Sequence, residues 1–190
     1  MNTVNFIERR KWPQDNMRLL AGVKGKIIRT LVRFIHPKSM GSKDPNKELF
    51  WRRKGILLIE FADDTALAVV PRISSEHSIT VFETSKEEVN TYLSESNSMK
   101  VFVEGELGDA NLSSFCNCTI NSIEIIKGTP LAPGYKGFPN NIGIKIGFTN
   151  VSKKLVLGCH LSIRSGSSRI VCVTEGEVLS DFVQEYIYVS

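Results

Sequence analysis

Long apolar runs are missing from this chain. Stretches such as Ile56–Ile59 and Leu67–Val70 fall far short of the roughly 20 residues a membrane-spanning helix requires. Residues 1–25 carry no apolar leader, because Glu8, Arg9, Arg10 and Lys11 interrupt them, which leads us to expect an intracellular, cytoplasmic protein. Histidine is scarce, with only His36, His77 and His160, so imidazole chemistry has few places to occur. Glycine-rich nucleotide loops, a His-Glu-x-x-His pair and a Gly-x-Ser-x-Gly elbow are all absent. We therefore expect a protein that is not an enzyme and needs no cofactor.

Cysteine is also sparse. Cys116 and Cys118 share one face if they lie on a strand, and Cys159 and Cys172 flank the turn-like Ser165–Ser168. A lone Cys-x-Cys lacks the second pair of a structural zinc site, so all four are read as reduced thiols, with no metal. Cys159-His160 are neighbours that point apart on a strand, which disfavours a nucleophile–base pair. The carboxylate pairs Asp63-Asp64 and Glu87-Glu88 fall in a turn and at a helix start, where acids have structural roles.

What the chain has in excess is positive charge at one end. Residues 1–54 hold 14 Lys and Arg against four acids, a balance of +10, while residues 55–190 sum to −6. That asymmetry is the signature of a surface that docks on a polyanion. Lys24, Lys26, Arg29 and Arg33, together with Arg52, Arg53 and Lys54, are the candidate polyanion-binding residues. Trp51 and Phe50 stand beside the second group, where they could stack on bases or enter a lipid interface. The expected partner is RNA or an anionic lipid surface, the latter placing the protein at the membrane periphery.

With 42% hydrophobic and 23% charged residues the chain has the makings of a folded core. Residues 22–36 fit either an amphipathic helix or a strand, and Gly22, Gly25 and the β-branched residues favour the strand. Ile56–Phe61 and Ala66–Val70 read as a hairpin about Ala62–Thr65, and Ser78–Phe82 as a further strand. Ser85 and Glu88 have capping-box spacing before a short helix. Lys100–Leu107, Phe115–Ile126, Ile142–Phe148, Lys154–Ile163 and Arg169–Val173 alternate like strands. Val178, Leu179, Phe182, Val183, Tyr186 and Ile187 recur at helical spacing, although Tyr186–Val189 also reads as a strand.

The expected fold is mainly β, a β-sandwich or strongly curved antiparallel sheet with two or three short packed helices, α+β being the alternative. Residues 1–21 are read as an N-terminal extension and 22–190 as one β-rich domain. The Gly/Pro-rich loop 128–141 carries Tyr135 and Phe138, the interface candidates for self-association or for a protein partner. A basic third ahead of an acidic β domain is a layout found in viral matrix, coat and movement proteins. Such a layout carries a function only by analogy. The functional expectation is a structural, binding protein, with a protein- or ligand-binding adaptor acting through 128–141 as the alternative.

Overall fold

The alternating apolar residues become strands buried on one or both faces. The computed structural model describes residues 9–35, 56–71, 78–96, 99–104, 110–129, 140–159, 161, 171–178 and 180–190. Its strands are β1 (Ile28–Ile35), β2 (Leu57–Phe61), β3 (Thr65–Pro71), β4 (Ile79–Ser85), β5 (Met99–Phe102), β6 (Ile120–Gly128), β7 (Asn141–Phe148), β8 (Leu155–Gly158), β9 (Val171–Thr174) and β10 (Val183–Tyr188). The helices are α1 (Met17–Val23), α2 (Lys86–Ser96) and α3 (Ala110–Ser113). The mainly β expectation holds.

Two antiparallel five-stranded sheets result, in the orders β4-β3-β2-β1-β5 and β10-β6-β7-β8-β9. The wiring of the two is the same. Four consecutive strands form a meander, a helical connection follows, and the fifth strand returns to pair with the first. The connection is α2 in the first sheet, and in the second it contains 3-10 turns at Glu175–Glu177 and Ser180–Phe182. The sheets pack face to face: Leu31, Ile59, Leu67 and Val81 share one apolar cluster with Ile123, Ile125, Ile144 and Leu157. A seam of backbone bonds joins them at the start of β1, where Asn117 N–H donates to Ile28 O at 2.7 Å and Ile28 N–H donates to Cys118 O at 3.0 Å.

The outer face of the first sheet is apolar too. Val32, Phe34, Leu58, Ala68, Val70 and Phe82 form a second cluster beneath Val89 and Tyr92 of α2. Burial on both faces explains why β2 and β3 read as near-continuous apolar runs. The capping box forms as expected: Glu88 N–H donates to Ser85 Oγ and Ser85 N–H to Glu88 Oε2, each at 3.3 Å. The β2–β3 hairpin also forms, and Asp64 takes its left-handed position at φ 64°.

Some expectations are corrected. The C-terminal periodicity is not a helix, because residues 183–188 are β10 paired along β6. The run Val-Gln-Glu-Tyr-Ile-Tyr suits a strand, and cross-strand packing overrides a pattern that also happens to fit 3.6 residues per turn. The strand expected from Phe115 starts only at Ile120, after α3 and a turn in which Asn117 is left-handed at φ 63°. The strand expected at Lys100–Leu107 ends at Phe102. Leu20, at the edge of the expected extension, is fully buried in the main core with Val23 beside it.

Gly143 and Gly158 face each other across β7 and β8. A Cβ on Gly143 would stand 2.8 Å from both Leu157 O and the Leu161 side chain. Leu161 fills the notch that the two missing side chains leave.

Candidate polyanion-binding face

The first four basic candidates leave α1 and run into β1. Lys24 donates through Nζ to Val189 O at 2.8 Å, tying the helix end to the C-terminal segment. Lys26 Nζ lies 2.9 Å from Asp63 Oδ2 and 2.6 Å from Thr65 Oγ1, over the Phe61 ring. Arg29 projects outward because the register of β1 against β2 shifts between Ile28 and Thr30, and a bulge turns its extra residue away from the sheet. It reaches Asp64 Oδ1 at 2.7 Å and Ala62 O at 2.9 Å. The hydrogen bond to Asp64 raises the Arg29 pKa. Asp63 is held down to about 2 by hydrogen bonds from Thr65 and then Lys26. Two of the four cations are thus matched by the acids of the β2–β3 turn.

Arg33 corrects the expectation that these charges are exposed. It is 0% exposed and shares the β1 face of Leu31 and Ile35, which looks into the sandwich. Burial pushes its pKa down to about 10, with Cys172 and Cys159 nearby opposing that fall. A basic residue on a strand covered on both faces has no outer side to point to, so Arg33 is no docking residue.

Arg52, Arg53 and Lys54 lie outside the described residues, as do Tyr135 and Phe138. The base of the 128–141 loop is described, with Gly128 N–H donating to Asn140 O at 2.9 Å. Antiparallel pairing sets Arg33 against Leu57 and Ile28 against Phe61. Leu57, the first residue of β2, thus lies at the Arg33 end of β1, whereas Arg29 lies four residues, about 13 Å, back toward the start of the strand, with Lys26 just before it. Among the described residues Lys11 and Arg18 are exposed cations without an ion pair. Arg18 and Lys26 line an open cleft of about 180 Å³ floored by Leu19, Val23, Phe61 and Leu67.

A second charged cluster went unread in the sequence. Lys145 Nζ lies 2.7 Å from Glu124 Oε2, 3.2 Å from Glu175 Oε1 and 3.7 Å from the centre of the Tyr186 ring. Burial works against its charge, but the hydrogen bonds it donates to the two glutamates prevail and raise its pKa. Glu124 and Lys145 are direct cross-strand partners, and their separation of twenty-one residues hides the pairing in the sequence.

All four cysteines are free thiols. Cys172 pairs with Leu157 rather than Cys159, so the two core thiols are diagonal neighbours. Burial pushes Cys159 up to about 12, against the pull of Arg33, and burial with the nearby Glu104 does the same for Cys116. Both are protonated at neutral pH and make poor nucleophiles. Among the described residues no three His, Cys, Asp or Glu gather as a metal site, and no helix is long and apolar enough to cross a membrane.

Comparison with protein-family models, with curated proteins and with solved structures finds no match to the chain.

Proposed function

We propose that this protein is a non-enzymatic binding protein that docks on RNA through the basic connection between β1 and β2, and whose β-sandwich self-associates. The observation that carries it is topological. β1 and β2 are hydrogen-bonded antiparallel neighbours, with Arg33 opposite Leu57, and a two-residue turn would suffice to join them. Instead residues 36–55 intervene, with six Lys or Arg and two acids. Long connections that the fold does not require commonly serve binding. Asp63 and Asp64 offset Lys26 and Arg29, so this reading assigns RNA binding to the six Lys and Arg of that connection.

RNA is favoured over an anionic membrane by the exposed apolar side chains. Among the described residues the large ones are Ile27, Phe102, Tyr186 and Tyr188, spread over both sheets rather than gathered for insertion. Phe50 and Trp51 beside Arg52–Lys54 supply stacking surfaces next to phosphate-binding charge.

The test compares two double substitutions by RNA-oligonucleotide titration at several salt concentrations. Arg52→Glu with Arg53→Glu should weaken binding strongly and flatten the salt dependence by about 0.7 units of slope per lost cation. Lys26→Gln with Arg29→Gln should change it little. An unaltered slope in the first variant would place the docking surface elsewhere. Capture by anionic vesicles without RNA binding would assign the charge to lipid.

A further inference from the structure

Four strands end the two sheets, and three of them are protected. β4 is bridged by the N-terminal segment, with Val81 N–H donating to Lys11 O at 2.8 Å. β5 and β9 are short, with four residues each. β10 is different. It is six residues long, and among the described residues no strand pairs with its outer side. Tyr186 is 43% and Tyr188 66% exposed. The one charge on the strand, Glu185, is matched by Lys127 at 3.0 Å. An uncovered edge of this length without lysine or proline is a template for further pairing.

Which groups face outward follows from the register. Val189 N–H donates to Ile123 O at 3.0 Å, and Ile187 stands opposite Ile125. Hydrogen-bonded pairs alternate along an antiparallel ladder. Ile187 therefore spends its backbone groups on β6 and Val189 its N–H, while the N–H and C=O of Tyr186 and Tyr188 point to the open side. The irregularity in β10 lies between Val183 and Glu185, clear of this stretch.

We infer that β10 is the contact between two copies of this chain, paired edge to edge and antiparallel about a two-fold axis at Ile187. The occupant is specified by the sequence Tyr186-Ile187-Tyr188, which reads the same in both directions. A two-fold antiparallel contact requires one patch to match itself. Here each Tyr186 meets Tyr188 of the second copy as a hydrogen-bonded pair, and the two Ile187 side chains meet on the inner face. The register keeps the two Glu185 side chains apart. Aromatic and β-branched cross-strand pairs are the stabilising kind, and the Tyr186 ring is already held by Lys145 at 3.7 Å. The two second sheets become one continuous sheet. This deepens the self-association proposed above and does not depend on RNA.

Sedimentation of the full chain without nucleic acid, over a range of concentrations, tests it together with amide hydrogen exchange. The wild type should form a reversible dimer. The Tyr186 and Tyr188 amides should gain protection as concentration rises, while Ile187 is protected throughout. Tyr188→Pro removes an outward N–H and leaves the β6 ladder intact, so it should weaken dimerisation about tenfold or more. Tyr188→Phe should preserve it. A wild type that stays monomeric, a Tyr188→Pro dimer of unchanged strength, or Tyr186 and Tyr188 amides that ignore concentration would each overturn the inference. RNA titration of the same Tyr188→Pro protein separates the two proposals: retained RNA binding with lost dimerisation supports this contact, and lost dimerisation with no RNA binding in either protein overturns only the RNA assignment.

Discussion

Asp63 gathers three bonds into one turn: Thr65 donates to its Oδ1 through the hydroxyl at 2.6 Å and through the backbone N–H at 3.1 Å, and Lys26 approaches Oδ2 at 2.9 Å. Together they lower its pKa from 3.8 to about 2. A carboxylate with a lowered folded-state pKa contributes stability above its unfolded value and loses it as pH falls through the folded one. Stability should therefore decline between about pH 4 and pH 2, by an amount moderated by solvent because Asp63 is exposed. Urea denaturation across that window should show a shallower decline for Asp63→Asn than for the wild type. Lys26→Gln should show part of the same flattening, since the thread from turn to β1 would be cut at its other end.

At the level of elements, α2 is the lid of the first sheet, and its start is set by the Ser85–Glu88 box. Ser85→Ala should cost about 1 kcal/mol of stability, measurable by chemical denaturation. The β2–β3 hairpin and α2 were legible in the sequence because their signals are local: Asp63-Asp64 between two apolar runs, and Ser85 three residues before Glu88. β10 was ambiguous between helix and strand because Val183, Tyr186 and Ile187 satisfy both periods, and only pairing with β6 decides between them. The charge excess of the first third was legible as well. Its disposition was not, because Asp63 and Asp64 neutralise Lys26 and Arg29 from more than thirty residues away. The burial of Arg33 follows from a cover on each face of β1, which no pattern within β1 announces. Glu124 and Lys145 were invisible for the same reason.

The molecule as a whole has the same strand order written twice. Each half makes its meander from neighbouring strands, which favours early local pairing, and each then presents an apolar face that only the other half covers. The protein is in effect a heterodimer of five-stranded halves tethered end to end, with the hydrogen bonds of Asn117 and Cys118 to Ile28 as its clasp. Cutting the tether between residues 106 and 107 should leave two fragments that fail to fold separately. Co-expressed, they should co-purify with the far-ultraviolet circular dichroism of the intact chain. A cooperative unfolding transition from either fragment alone would show that the halves are autonomous. If they are not, severing a single peptide bond turns the domain into a split pair whose reassembly reports on the interface between its sheets.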